Sequence, residues 1–373
     1  STASSTVPSE DSVRLRDIAE RLDLAEITVS KALRDHPDIA SDTKERIKRT
    51  ARDMGYVPNL VARSLSSGRT RTLGVVVPEI AHTFFGAVLS GIHQRADEAG
   101  YDIVLTVSEE DAELEARHIE TLLGMRVDGL LVSTSQQEPV REVYRLAEKR
   151  GVPLVFFDRR LEEPTFPSVT NDNRAMARTL TEYALSEEYE RIAHVTGPNE
   201  VPLARARLDG FLAAHDTRNR SVRDEYVVET GFDRRAGSKG ATRLLDLDVP
   251  PEVVLTVSVP AAMGFLDVLE ERTGGEGPET LRVMTFGHWS SSVYFSRGFF
   301  LAGIDQRPRV IGRRSTELLI DLIEDRHEGP RHVTVGFDLV TADRSPGPSP
   351  HRSPSRPSRS RDTTAPPSER GPR

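Results

Sequence analysis

The stretch VRLRDIAERLDLAEITVSKAL, residues 13–33, decides how the first part of the chain folds. Its apolar residues fall into two groups, Val13, Leu15, Ile18, Ala19 and Leu22, then Ile27, Val29, Ala32 and Leu33. Spacings of three and four within each group predict two short helices, each burying one face. Ala19 is small where two helices must cross closely, Leu24 sits in the turn, and Val29 with Leu33 packs the second helix onto the first. That leaves Glu26, Ile27, Thr28, Ser30 and Lys31 on the outer face, free to enter a major groove. On spacing alone the segment is equally an ordinary helical hairpin. A third group, Ile47, Ala51 and Met54, predicts a further helix, with Ser41-Asp42-Thr43 as its N-caps and Gly55 as its C-terminal stop. Pro58-Asn59 then opens a brief amphipathic segment, Leu60 to Ser66.

From Thr72 the rhythm changes. Apolar runs LGVVVP (73–78), YDIVLTV (101–107), VDGLLVS (127–133), VPLVFFD (152–158), RIAHVTG (191–197), EVVLTVS (252–258) and RVMTFG (282–287) read as strands. Helical patterns lie between them at Phe84–Ala99, Pro139–Lys149, Asn173–Leu185, Leu203–Ala214 and Pro260–Glu271. Continuous apolar strands alternating with helices indicate parallel sheets covered on both faces. So many units exceed one usual doubly wound domain and predict two lobes. The expected domains are a disordered N-terminus (1–12), a helical head (13–57), a linker (58–71), a two-lobed α/β body (72–344) and a disordered Ser/Pro/Arg-rich tail (345–373), which cannot bury a core.

The 373-residue chain is 37% hydrophobic, enough for a sizeable core, and carries no run of about 18 apolar residues that would predict a membrane span. Ser1 to Ser12 is polar and lacks the apolar centre of a secretory signal. The absence of cysteine excludes disulfides and Cys-ligated metal and leaves the cytoplasm as the expected compartment. The net charge of −8 is unevenly spread. Residues 13–72 hold 13 basic and 9 acidic side chains, the tail holds 6 Arg against Asp362 and Glu369, and residues 73–344 carry −14. An acidic body with a basic head suits a protein whose head alone approaches a polyanion.

TVSKAL, then DTKERIKRTARDMGYVPNLVARSL, then GRTRTLGVVVP, in that order and spacing, closely resemble the lactose/galactose repressor (LacI/GalR) family over roughly residues 13 to 344. The resemblance implies an all-α helix-turn-helix head joined to a periplasmic-binding-protein-like sensor of two doubly wound parallel-sheet lobes. It also implies a transcriptional regulator, expected to be a repressor, that binds a pseudo-palindromic operator as a homodimer under control of a small, sugar-like ligand. Glu26, Ile27 and Lys31 then occupy base-reading positions, and Thr28, Ser30 and Arg34 lie where phosphate or secondary contacts occur; Arg16 joins the DNA-facing set. Lys can read guanine, Ile27 can contact a thymine methyl, and Glu26 can accept from cytosine. Ala25 stands where the family usually caps the recognition helix with Ser, and Arg34 where Asn is common. The segment YVPNLVARSL (56–65) resembles the family's hinge helix, with Asn59 and Ala62 against DNA and Leu65 as a wedge at a central base step.

In the body the resemblance places a ligand between the lobes, near strand C-termini. It assigns about 72–170 plus 305–330 to the first lobe and 171–304 plus 331–344 to the second. The positions that line the cleft are then Thr83, Phe84, Ser133, Asp158, Arg207, Phe232, Ser258, His288 and Gln306, with Phe85 beside them; for Phe84, Phe85 and Phe232 core packing is nearly as good a reading. A carboxylate facing a guanidinium can hold vicinal hydroxyls while an aromatic face covers a ring. Two acidic positions of the family are missing. Its usual Asn-Asp reads Ser258-Val259, and its Gly-Tyr/Phe-Asp-Asp reads Thr285-Phe286-Gly287-His288. Their loss points away from an ordinary hexose and leaves a less hydroxylated or anionic ligand, or a degenerate pocket without sugar control, as alternatives.

No GxGxxG follows a strand, no GxxxxGK[ST] occurs and no His pair has metal-ligand spacing, so no catalytic residue, metal or cofactor is expected. A cytoplasmic small-ligand-binding protein would fit the body, but it would not need this head.

Overall fold

In the computed structural model the residues described are 13–56, 69–80, 83–135, 141–161, 166–274, 281–288, 299–329 and 331–341. The head is α1 (Leu15–Leu22), α2 (Glu26–Leu33) and α3 (Ser41–Asp53) around a small core of Ile18, Ala19, Val29, Ala32, Ile47 and Ala51. Asp23, at φ 54°, closes α1 in the left-handed region that Asp tolerates, and the amide of Leu24 donates back to the carbonyl of Ala19 at 3.0 Å. The expected Ser41-Asp42-Thr43 cap does not form. Ser41 is already the first residue of α3, and Ala40 precedes it without a side-chain hydrogen bond. Gly55 does stop α3 at φ +72°.

The body is built on two six-stranded sheets. The first contains β1 (Thr72–Val77), β2 (Asp102–Val107), β3 (Gly129–Val132), β4 (Leu154–Phe157), β5 (Ser168–Asn171) and β11 (His332–Val335), in the spatial order β11-β5-β4-β3-β1-β2 and all parallel. The second contains β6 (Ile192–Thr196), β7 (Val227–Glu229), β8 (Val253–Thr256), β9 (Arg282–Gly287), β10 (Phe300–Asp305) and β12 (Asp338–Thr341), in the order β12-β10-β9-β8-β6-β7. Only β12 runs antiparallel there, along β10. β1, β3, β4, β6 and β8 are buried through nearly their whole length, which is why they read as continuous apolar runs rather than alternating ones.

Helices cover both faces. Thr83–Glu98 (α4) packs against Pro308–Ile323 (α11) on the first lobe, with Ala112–Gly124 (α5) and Arg141–Lys149 (α6) opposite. On the second lobe, Asn173–Ser186 (α7) pairs with Pro202–Thr217 (α8), and Arg234–Leu245 (α9) with Val259–Thr273 (α10). The backbone therefore crosses between lobes at 172, at 306–307 and at 336–337. The expected assignment of 331–344 to the second lobe is corrected for 332–335, since β11 pairs in parallel with β5 of the first. Among the described residues no helix is long and apolar enough to cross a membrane. The hinge positions Asn59, Ala62 and Leu65, and both expected disordered tails, lie outside the described residues.

The α9–α10 crossing is unusually close. A Cβ on Gly264 would stand 1.8 Å from the carbonyl oxygen of Arg234, and one on Gly237 equally near that of Ala261. Gly264→Ala is expected to push the two helices apart and cost about 1–3 kcal/mol, the usual price of overpacking. A urea midpoint equal to that of wild type would show that the crossing yields freely.

Candidate functional site

The head positions expected to face DNA differ in exposure. Arg16, Glu26, Ile27 and Arg34 are exposed, with Ile27 67% exposed, while Thr28, Ser30 and Lys31 are half-buried. Among the described residues Ile27 is not part of the head core, although Val29 and Ala32 of the same helix are fully buried in it. As expected from Ala25, α2 begins without a side-chain cap. The polar residues of α2 hold one another. Arg34 donates to the carbonyl and to Oγ of Ser30 at 3.1 and 3.0 Å, and Lys31 reaches Asp38 at 3.1 Å. Arg16 lies 3.5 Å from Glu20.

Between the lobes lies a cavity of about 80 Å³. The first lobe lines it with Thr83, Phe84 and Phe85 at the start of α4 and with Asp158 after β4; the second contributes Arg207 from α8, Phe232 after β7 and Ser258 before α10. Gln306 sits at a crossing. Seven of the nine positions nominated from the sequence thus converge. Ser133 and His288 do not. Ser133 is fully buried behind the end of β3, beside the Thr134–Ser135 segment that is held by Glu115 and Tyr144. His288 turns toward Asp305, 3.8 Å away.

Asp158 takes a left-handed backbone (φ 60°) as the chain leaves β4, its amide donating to the carbonyl of Val169 at 3.0 Å. This turn carries its carboxyl into the interior, where burial pushes its pKa up while Arg159 and Arg207 pull it down. Arg207 is itself buried. Its Nε donates to Oδ1 of Asn173 at 2.9 Å, Nη1 donates to the carbonyl of Val257, and the guanidinium lies 4.1 Å over the ring of Phe286. Burial brings its pKa down to about 9, with Asp158 opposing, so it stays charged at neutral pH. Arg207 is thus fixed as a rigid cation facing an acid on the other lobe.

Sequence reasoning missed Glu79, Glu110, Arg159 and Phe286. Arg159, the neighbour of Asp158, makes a two-point ion pair with Glu110 at 2.6 and 2.9 Å. The FDRR run held the only signal for it, and an Arg beside a strand end ordinarily reads as solvated. Ser258 has a second job that the sequence did not disclose. Its Oγ donates to the carbonyl of Phe232 at 2.5 Å and accepts from the amide of Ala261 at 3.2 Å, capping α10 and pinning the aromatic loop. Among the described residues no group of three or more His, Asp or Glu is placed to hold a metal ion.

Residues 14–59 match the family model described as bacterial regulatory proteins, lacI family, and residues 70–343 match periplasmic binding proteins and sugar binding domain of LacI family. The chain is 29% identical over 332 residues to the HTH-type transcriptional repressor CytR of Escherichia coli K12, covering 89% of this chain and 96% of that protein. Among solved structures it resembles the Cra transcriptional dual regulator of Pseudomonas putida in complex with fructose 1-phosphate, at 25% identity, a TM-score of 0.65 and coverage of 73% and 98%. The Lac repressor bound to ONPG, at 22% identity, shares the fold with a TM-score of 0.75 over 89% of this chain and 99% of that one.

His194, fully buried on β6, supplies a stability test of the second lobe. Burial lowers its pKa from the usual 6.5 to about 4; its contact with the Leu255 carbonyl opposes this and Arg207 adds to it. A base whose folded pKa is depressed contributes stability above its unfolded pKa and loses it as pH falls. Between pH 6.5 and 4, wild type should therefore lose on the order of 3 kcal/mol more than His194→Gln. Parallel urea curves for the two proteins across that window would contradict a buried neutral imidazole.

Proposed function

The chain belongs to the LacI family of bacterial regulatory proteins, and on that premise we propose that it is a sequence-specific DNA-binding transcriptional repressor that acts as a homodimer on a pseudo-palindromic operator. The observation that carries this reading is the outward face of α2, where Ile27 stands exposed beside Glu26 and Lys31 above a buried Val29 and Ala32. Such a face fits a major groove, with Lys31 toward guanine, Ile27 toward a thymine methyl and Glu26 toward cytosine. Thr28, Ser30, Arg34 and Arg16 serve as phosphate or supporting contacts. Asn59, Ala62 and the Leu65 wedge complete the DNA-facing set from outside the described residues. The relatives are regulators rather than enzymes, and we assign this chain no catalytic residue and a cytoplasmic place of work.

Control falls to the inter-lobe cleft. Asp158 and Arg207 face one another from different lobes, so a small ligand that bridges them changes the relation of the lobes, and through them the spacing of two heads. One observation favours a second reading. The cavity of about 80 Å³ is well below the roughly 300 Å³ at which ligand sites begin. A sugar enters only if the lobes part, and a regulator without sugar control fits the closed cleft equally well.

Genome-wide mapping of bound sites is the direct test, since a repressor yields a shared two-fold motif and its neighbouring genes suggest the ligand class. Lys31→Ala should weaken binding to that motif by about 1–3 kcal/mol and relax its preference at one base pair of each half-site. An equal loss on random DNA would reduce Lys31 to a phosphate contact. Light scattering on the operator should report a dimer; a monomer would refute the two-fold reading.

A further inference from the structure

Arg159 is built into neither the core of one lobe nor the solvent. It is 6% exposed, follows directly on Asp158, and is rooted on the first lobe by the two-point contact with Glu110. Its guanidinium lies 4.6 Å over the ring of Phe232, which belongs to the second lobe. Phe232 is backed in turn by Ala204, Val257 and Ala261, and the Ser258 hydroxyl bonds to its carbonyl. A bidentate pair fixes the plane of a guanidinium as a lysine ammonium could not, so Arg159 presents a flat face to an aromatic that cannot retreat. That face covers the ring that would otherwise lie against a ligand.

From this geometry we infer that Arg159 is a positioning residue that latches the two lobes closed across the cleft without any ligand, and that a ligand acts by competing with it for Phe232. The nearby cross-lobe pair of Asp158 and Arg207 adds attraction in the same direction. The latch is independent of DNA. Only its effect on operator binding rests on the reading of the cleft as the control site.

The chain contains no cysteine, so a spin label can be placed on each lobe without background. E113C on α5 and K239C on α9 are both at exposed positions. In the full-length, ligand-free protein, mixed with an excess of unlabelled chain so that a dimer carries one labelled protomer, the label-to-label distances should form one closed population. R159A should add an open one, shifting the closed-to-open ratio by about tenfold, the scale of a desolvated cation–aromatic contact. F232L reaches the same contact from the other lobe while keeping an apolar side chain, and should open the cleft similarly. The double variant should be no more open than either single, because both remove one interaction. Distances unchanged in both singles, or effects that simply add in the double, would overturn the latch. Open distances with unaltered operator affinity would leave the latch standing and remove the cleft from control of the head.

Discussion

Three crossings of the backbone constrain the body more than any other feature. Neither sheet is completed by chain that is local in sequence, because β11 closes the first only after the chain has crossed at 172 and 306–307, and β12 closes the second only after a third crossing at 336–337. The crossings are tied to one another. The side-chain amide of Asn171 donates to the carbonyls of Gln306 and Val335 at 3.2 and 2.9 Å, and Arg307 holds Asp338 with two bonds of 2.7 Å. Three strands of chain bundled side by side resist shear and extension but bend, so the freedom left to the lobes is rotation about that bundle. Residues at the strand ends beside it, Asp158 above all, then approach or leave the opposite lobe as the angle changes.

That pivot gives the buried charges their meaning. Removing Asp158 and Arg207 from water costs more than an ordinary ion pair returns, and an apolar pair of similar volume would serve stability as well or better. Charges facing each other across a hinge instead make the free energy depend steeply on the lobe angle, because separation rehydrates them. The same logic separates Arg207 from Arg159. Arg207 is locked into its own lobe by Asn173, Val257 and Phe286, whereas Arg159 is locked to one lobe and leans on the other.

The readability of the chain follows its physics. Although the strand at 300–305 and the helices at 112–124 and 308–323 went unread, most strands buried on both faces and most helices with apolar stripes were legible, because continuous runs and 3.6-residue periods have no other economical use. The helix at 234–245 was not. Its buried face is Ala236, Gly237, Gly240 and Ala241, small because it crosses α10 at backbone contact, so it carries almost no hydrophobic signal. The strands at 168–171, 332–335 and 338–341 are only four residues long and partly polar, and β11 and β12 are partly exposed at sheet edges, so alternation had no room to appear. In the cleft, positions carried from the family converged where the backbone alone fixes them, as with Asp158, Arg207 and Gln306. His288 strayed in a motif that had already lost its acids, and Arg159 escaped notice because its two partners, Glu110 and Phe232, lie 49 residues before it and on the other lobe.

The head obeys a different economy. Its core is six small or medium side chains, its second helix is eight residues without a side-chain cap, and neither the propensity nor the length of α2 would hold it alone. What fixes α2 is tertiary. Val29 and Ala32 pack into the core shared with α1 and α3, and Lys31 is tied to Asp38 beyond the helix. A helix oriented from beneath leaves Glu26 and Ile27 exposed on its outer side. The charge distribution works with this arrangement. A body at −14 is repelled by a phosphate backbone while a basic head is drawn to it, so approach is productive only head first.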